Sequence, residues 1–213
     1  MGKAIWGPFG PMTGKVGNLI YYRVNGVSRV RSVRKVTNEP TIAQLRVRQE
    51  MKVITQFLKL LTEVIKIGFS PSARGVKSPF NLATSYNKRH ALTGEYPDIT
   101  VNYSELVLSK GHLSLPEHTA VEKIANRLRF TWTGAFTFSY PRPNDQAILV
   151  AVFPDQQRAV YDLTRFRRSD GSGELLLPDD LIDQPAVAYM MFASADRKTV
   201  SDSLFLGWVN ANG

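Results

Sequence analysis

Residues 15–36 read KVGNLIYYRVNGVSRVRSVRKV, and this stretch decides how the first part of the chain folds. Two runs of β-branched and aromatic residues flank Asn25-Gly26. That dipeptide favours a two-residue type I′ turn, because both central residues of such a turn need a positive φ. The sequence therefore predicts a β-hairpin with strands at Lys15–Val24 and Val27–Val36.

The turn also fixes the register of the expected hairpin. One face pairs Val24 with Val27, Tyr22 with Arg29 and Ile20 with Arg31, and the other pairs Arg23 with Ser28, Tyr21 with Val30 and Leu19 with Ser32. Neither face is cleanly apolar. Arginine stems can cover the neighbouring rings while their charged heads stay in water. Such a mixed ribbon suits contact with a nucleic acid or an acidic protein, and it is equally typical of a solvated two-stranded extension.

A long amphipathic helix is expected after Asn38-Glu39-Pro40. Thr41 and Gln44 have the spacing of a capping box, and the apolar pattern runs to Ile67 before Gly68. The core-directed face carries Val53, Phe57, Leu60, Leu61 and Val64, with Arg46 and Glu50 as an i,i+4 pair near the start. The opposite side carries a basic ridge, roughly 27 Å long at 1.5 Å per residue, formed by Arg48, Lys52, Lys59 and Lys66.

The net positive charge of the protein is confined to this first part. Residues 1–67 hold 12 Lys/Arg against 3 Asp/Glu, whereas residues 68–213 hold 15 of each, so the net charge of +9 lies entirely before residue 68. A segregated charge points to an anionic partner more than to general solubility. The candidate anion or nucleic-acid contacts are Lys15, Arg23, Arg29, Arg31, Arg34, Lys35, Arg48, Lys52, Lys59 and Lys66.

The same segment resembles an uncharacterised protein family of Bacteroidota bacteria. The resemblance lies in Gly14-Lys15-Val16-Gly17-Asn18, the tyrosine-rich strand, Asn25-Gly26, and the helix start at Pro40-Thr41 with Ala43-Gln44. It covers about the first 70 residues. An Asn-Pro-x-Thr-x-Ala-Gln helix start is expected in that family, and this chain has Asn38-Glu39-Pro40-Thr41 instead. The resemblance implies that this segment is inherited as a unit. It implies no particular activity, because the family is uncharacterised.

The second half of the chain is expected to be a β-sandwich. Ser78-Pro79 begins a short helix that ends with Lys88, Arg89 and His90 near Gly94. The period then changes to two, and turn signals separate short runs, which is typical of an antiparallel sandwich. The candidate strands are Ile99–Leu108, His112–Leu115, Asn126–Thr133, Ala147–Phe153, Ala159–Phe166, Gly173–Leu177, Ala186–Ala193 and Ser201–Val209.

The run from Leu177-Pro178 to Ala188–Ala193 resembles the late strands of fibronectin type III domains. The predicted fold class is therefore α+β: an N-terminal hairpin, a long helix and a short second helix, followed by an immunoglobulin- or fibronectin-like antiparallel sandwich. The expected domains are residues 1–95, with the basic arm, hairpin and helices, and residues 96–213.

The residues that enzymes use for catalysis do not form a recognisable pattern. Cysteine is absent, which excludes disulfides and thiolate metal sites. The Gly-rich start lacks the Walker A spacing, because Phe9 occupies the first Gly position and Val16 follows Lys15. His90, His112 and His118 have no helical partner at i+3 or i+4. The acidic cluster Asp179-Asp180-x-x-Asp183 lacks the spacing of a calcium loop and is interpreted as a turn.

These observations favour a non-catalytic structural or adaptor protein in a larger assembly, with self-assembly or a protein partner expected. The alternative is a nucleic-acid-binding protein, and a third hypothesis is a hydrolase that uses carboxylates in a sandwich groove. No cofactor, metal or small-molecule substrate is expected. Neither a signal peptide nor a membrane span is recognisable, so we expect the protein in the cytoplasm or within an assembled particle.

Overall fold

The computed structural model describes residues 3–4, 12–24, 26–34, 39–73, 77–133 and 142–210. Its contacts divide the chain into two compact units, Met1–Ile42 and Ala43–Gly213. The sequence predicts a boundary between residues 95 and 96 instead. The contacts divide the chain earlier because the helices share an apolar core with the β-sheets of the second unit, as described below.

The first unit contains a four-stranded antiparallel sheet with strand order β1-β2-β3-β4. Its strands are β1 (Lys3–Ala4), β2 (Met12–Val16), β3 (Leu19–Val24) and β4 (Val27–Ser32). All six predicted cross-strand pairs of β3 and β4 are confirmed, from Val24 opposite Val27 to Leu19 opposite Ser32. Gly26 has the expected positive φ, 82°, whereas Asn25 lies outside the described residues.

The predicted first strand, Lys15–Val24, is wrong as a continuous element. Gly17 and Asn18 form a second two-residue turn, with Gly17 at φ 58°, and Val16 pairs with Leu19. Val16 and Leu19 flank Gly17-Asn18 with apolar strand residues, so this turn, like the one at Asn25-Gly26, joins two strands through a glycine with positive φ. The glycine-rich segment before it contributes strand β2, and the sheet gains a third paired strand.

The predicted continuous helix from Thr41 to Ile67 is also wrong, because two helices occupy this range: α1 (Ile42–Lys59) and α2 (Thr62–Gly68). At the break the amides of Leu60 and Leu61 donate to carbonyls three residues back, at 3.1 Å each. The Thr62 hydroxyl donates to the Lys59 carbonyl at 2.9 Å. These shorter-range bonds replace the i to i−4 ladder and end α1.

The short helix predicted after Ser78 is confirmed as α3 (Pro79–His90). The Ser78 hydroxyl accepts a hydrogen bond from the Asn81 amide at 3.2 Å, which satisfies one of the free N–H groups at the helix start. Asn87 is fully buried, and its side chain donates to the Val107 carbonyl and accepts from the Val107 amide, both at 2.8 Å. α3 is thereby fastened to the segment that leads into the sheets.

The predicted antiparallel β-sandwich is confirmed in the second unit. Its strands, in chain order, are β5 (Leu92–Thr93), β6 (Thr100–Val101), β7 (His118–Ile124), β8 (Arg127–Thr133), β9 (Gln146–Phe153), β10 (Arg158–Arg167), β11 (Ser172–Leu176), β12 (Ala186–Ala193) and β13 (Leu204–Val209). One sheet has the order β11-β8-β7 and the other β10-β9-β12-β13, while β5 and β6 form a small separate pair.

The second unit has three layers, because the middle sheet is covered on both faces. Alternate residues of β9 and β12, such as Leu149 and Met190, pack with β8 and β11 in the core between the two sheets. The residues between them, such as Val150 and Tyr189, pack against α1, α2 and α3 in a second core. Every residue from Ala147 to Phe153 and from Ala186 to Ala193 is consequently buried.

Two predicted strands differ from the structure, and one observed strand was not expected. Ile99–Leu108 contains only β6, because the Asn102 side chain accepts a hydrogen bond from the Ser104 amide and starts a 3₁₀ turn. His112–Leu115 has an isolated bridge at Leu113 and no strand. Strand β7 was not predicted. It alternates between exposed and half-buried residues, so its sequence lacks a clear apolar face.

A buried ion pair lies beside the core between the two sheets. The Arg168 guanidinium is 3.5 Å from the Asp145 carboxylate, and the two side chains are 3% and 1% exposed. Arg168 also donates to the Ser114 carbonyl at 2.8 Å and lies over the Phe192 ring, 4.1 Å from its centroid. Asp145 precedes β9 and Arg168 follows β10, so the pair joins the ends of two neighbouring strands.

Candidate binding surface on the N-terminal sheet

One face of the N-terminal sheet carries three of the predicted contact residues. Strand alternation and the strand register place Lys15, Arg29 and Arg31 on the same face as Ile20 and Tyr22. Arg31 and Tyr22 are in contact, with the guanidinium carbon 5.9 Å from the ring centroid. This face combines cations with an aromatic ring, as the sequence predicted.

Two more predicted cations belong to the same unit. Arg23 lies on the other face of the sheet, and its Nε donates to the Gly26 carbonyl at 2.8 Å. Arg34 follows β4 and is exposed, whereas Lys35 lies outside the described residues. The five described cations, Lys15, Arg23, Arg29, Arg31 and Arg34, are all exposed.

These five cations are not neutralised within the described part of the chain. The ion pairs found there involve Arg46, Lys66, Lys88, Lys123, Arg127, Arg158, Arg165, Arg168 and Lys198 as the basic partners. Within residues 12–34 the sequence holds no Asp or Glu at all. The sheet therefore presents uncompensated positive charge, which is the electrostatic requirement for binding an anion.

The four predicted helix cations, Arg48, Lys52, Lys59 and Lys66, are exposed on α1 and α2. They do not form the predicted straight ridge, because the helix ends at Lys59 and a new helix begins at Thr62. Lys66 also pairs with Glu63, with Nζ 2.7 Å from the carboxylate. Arg48, Lys52 and Lys59 remain as cations of a single helix face in the second unit.

A second charged cluster joins α1 to α3. Glu50 accepts from Arg46 at 3.0 Å, which confirms the predicted i,i+4 pair, and Lys88 lies 3.2 Å from its other oxygen. Burial raises the pKa of the Glu50 carboxyl, but hydrogen bonds from Lys88 and Arg46 outweigh burial and hold the pKa below its ordinary value. The Lys88 contact was missed, because sequence spacing does not reveal which residue of α3 faces α1.

Three of the acidic and histidine residues singled out in the sequence have structural partners. Asp180 lies in a 3₁₀ turn at Asp179–Leu181 and pairs with Arg158, and Asp183, just after this turn, pairs with Lys123 at 2.9 Å. His90 stacks on Tyr86, with ring centroids 4.6 Å apart. In the ranges that the structure describes, no group of three His, Cys, Asp or Glu residues is arranged to hold a metal ion.

A cleft of about 170 Å³ opens beside α1, lined by apolar residues that include Phe57 and by the side chain of Tyr103. Burial, and then the charge of Asp155, raise the pKa of the Tyr103 hydroxyl. The main-chain carbonyl of Tyr103 accepts a hydrogen bond from Tyr189 at 2.8 Å. A phenol with a raised pKa stays neutral, so this cleft offers a hydrogen-bonding group rather than a base.

The fold and the surface together define an α+β protein that carries a basic β-sheet ahead of a helix-covered sandwich. The chain belongs to the family described as "Family of unknown function (DUF6266)", whose model matches residues 11–207. The match includes the sandwich as well as the hairpin and the helices. No curated protein and no solved structure matches the chain. No helix among the described residues has the length and apolar character needed to span a bilayer.

Proposed function

We propose that this protein is a non-catalytic structural or adaptor protein that forms part of a larger assembly and docks on an acidic partner through its basic N-terminal sheet. One observation carries the proposal: four exposed cations on a small sheet, and Arg34 just after its last strand, have no carboxylate to pair with them in the described part of the chain. A partner surface rich in carboxylates would supply the missing charges.

The charge distribution supports docking through the N-terminal part of the chain rather than through the residues that follow it. The residues after 67 are electrically balanced, so they neither attract nor repel a charged partner at long range. Exposed ion pairs contribute roughly 0.2–1 kcal/mol each, and five of them therefore supply a moderate affinity that is sensitive to salt. Such an interaction also raises the association rate, because complementary potentials steer the encounter.

The strand order of the second unit supports the likeness to fibronectin type III and immunoglobulin-like sandwiches. Three strands, β7, β8 and β11, face a sheet in which β9 and β12 are central, and the run Ala188–Ala193, part of the stretch that carries the resemblance, lies in β12. Because a fold does not determine a function, this likeness supports only a proposal about the fold of the second unit and not about its ligand. Our inference of a Bacteroidota origin rests on the Gly14–Asn18 and Pro40–Gln44 motifs.

The test of this function is a binding measurement with a fluorescent poly-glutamate peptide. We expect the wild-type protein to bind at low salt and the variant Arg29→Glu/Arg31→Glu to bind at least about tenfold more weakly, since each reversal removes about 1 kcal/mol or more of attraction. The matched control is Lys77→Glu/Arg89→Glu. It changes the net charge equally at two exposed residues of the second unit and should leave the affinity unchanged. Equal loss in both variants would contradict the proposal.

A second candidate function is nucleic-acid binding, favoured by the contact between Tyr22 and Arg31 on the basic face. An aromatic ring flanked by cations suits a stacked base and its phosphates. This function predicts binding to duplex DNA whose logarithm falls linearly with the logarithm of salt concentration, with a slope of about −0.9 per phosphate neutralised. Tyr22→Ala should weaken binding to single-stranded DNA and leave binding to poly-glutamate intact. Absence of binding to either form of DNA at low salt would exclude it.

A further inference from the structure

Strand β4 is an edge of the N-terminal sheet in the described part of the chain, and all six of its residues are exposed. The hydrogen-bond pattern shows which main-chain groups are free. The Val33 amide donates to the Asn18 carbonyl at 2.8 Å, which makes residues 33 and 18 a hydrogen-bonded pair. Hydrogen-bonded pairs alternate along an antiparallel ladder, so residues 31, 29 and 27 also bond to β3.

The N–H and C=O groups of Ser28, Val30 and Ser32 consequently point away from β3, toward the open edge. Three donors and three acceptors in a row form a template for a further strand. Proteins usually protect such an edge with charge or a bulge, and they use an unprotected edge to bind an extended peptide. The β3–β4 register is unbroken from Val24 to Leu19, so this edge is not interrupted by a bulge.

The charges on β4 determine which kind of strand can pair with this edge. Arg29 and Arg31 alternate with Val30, so one face of the edge is positive and the other is uncharged, with Val30 between Ser28 and Ser32. A second copy pairing antiparallel about Val30 would set Arg29 opposite the Arg31 of its partner, and like charges directly opposite each other destabilise a sheet. A strand with carboxylates at alternate positions has the complementary pattern.

We propose that β4 is a docking edge that takes an extended acidic segment of a partner protein as a fifth strand of the sheet. This proposal rests on the proposed function and specifies its binding mode. The carboxylates of the segment lie opposite Arg29 and Arg31, and its intervening β-branched side chains lie beside Val30 on the other face. The main chain of the segment bonds to Ser28, Val30 and Ser32.

The experiment compares two capped peptides of the same composition: one alternates glutamate with valine, and the other carries its glutamates and valines in two blocks. Both have the same net charge, so charge attraction alone treats them alike. We expect the full-length protein to bind the alternating peptide at least about tenfold more tightly. Amide exchange at Ser28, Val30 and Ser32, followed by NMR, should slow when the alternating peptide is bound.

The matched variants are Val30→Pro and Val30→Thr. Proline removes the outward N–H of residue 30 and keeps every bond to β3, because proline is tolerated at edge positions whose N–H faces solvent. Threonine has the shape of valine and retains the N–H. We expect Val30→Pro to lose the preference for the alternating peptide and Val30→Thr to keep it. Circular dichroism of both variants checks that the fold is intact.

The outcomes separate this proposal from the proposed function. If both peptides bind equally, lose affinity in Arg29→Glu/Arg31→Glu and are indifferent to Val30→Pro, the acidic docking survives and the edge proposal is overturned. If neither peptide binds at low salt, both are overturned. Tighter binding of a single-stranded oligonucleotide that ignores Val30→Pro, or dimerisation of the free protein through β4 in light scattering, also overturns the edge proposal.

Discussion

Removing one charge of the buried pair Asp145–Arg168 should be the most costly single change of charge in the second unit. Asp145→Asn keeps the shape of the side chain and leaves the Arg168 guanidinium, which is 3% exposed, without its counter-charge. Breaking a buried pair in this way costs about 3–5 kcal/mol, because the remaining charge is neither solvated nor paired. Arg168 retains its bond to the Ser114 carbonyl, which favours the lower end of that range.

The assay is urea denaturation followed by tryptophan fluorescence, with the second variant Arg168→Met and the double variant. Each single variant should lower the free energy of unfolding by about 3 kcal/mol or more. The double variant should recover much of that loss, because it removes both charges together, and the coupling energy measures the pair directly.

The control is Arg127→Gln, which breaks a pair with Glu174 at a similar distance, 2.9 Å, but with side chains 55% and 42% exposed. This change should cost about 0–1 kcal/mol. If Asp145→Asn costs no more than Arg127→Gln, the pair is accessible to water, and the reasoning from its burial is refuted.

Three further changes test other contacts. Gly68→Ala should destabilise the protein by about 1–3 kcal/mol, measured by thermal unfolding, because a Cβ at this position would collide with the Leu108 carbonyl; an unchanged Tm would show that the contact is loose. Tyr189→Phe should cost about 1 kcal/mol, since it removes a hydroxyl that donates to a main-chain carbonyl at 2.8 Å; no loss in urea denaturation would mean that this bond is not a net contributor. Glu50→Gln should lower stability at neutral pH. Burial raises the pKa of Glu50, but interactions with Lys88 and Arg46 outweigh burial, so the pKa is lowered in the folded protein. The stabilisation by the ionised Glu50 is therefore present above the ordinary pKa of 4.5 and is lost as the pH falls through the folded pKa. Urea midpoints of the wild type and Glu50→Gln should therefore converge in acid, and a gap that persists there would contradict the assignment.

The hairpin was predictable because its determinants are local. A two-residue turn needs positive φ values, and Asn25-Gly26 between β-branched runs supplies them without reference to the rest of the chain. The same reasoning applied to Gly17-Asn18 would have found the first turn as well. The preceding glycines obscured it, because they suggested an extended arm rather than a strand.

The helix break and the helix layer depend on contacts that are distant in sequence. Leu60 and Leu61 fit a continuous apolar stripe, and only the tighter hydrogen bonds at that point reveal the end of α1. The burial of the middle sheet on both faces was indicated by the sequence. The runs Ala147–Phe153 and Ala186–Ala193 are apolar without alternation, which is typical of strands buried on both faces.

The candidate surface was predictable in composition and only partly in arrangement. Counting charges places the candidate surface in the first part of the chain, and the turn register places Arg29 and Arg31 on one face, as in the structure. The sequence did not show that the helix cations belong to a different unit from these arginines, because the assignment of α1 to the second unit depends on tertiary contacts. The position of β4 at the edge of the described sheet follows from the strand order, which the sequence alone does not specify.

Burial of the middle sheet on both faces fixes the register of β12 strictly. Tyr189 belongs to the core beneath the helices, and its neighbour Met190 belongs to the core between the sheets. A slip of β12 by one residue would exchange these two sets of side chains and mismatch two interfaces at once. Substitutions at adjacent residues of β12 therefore test the packing of two different cores. Packing on both faces of the middle sheet fixes the register of this strand.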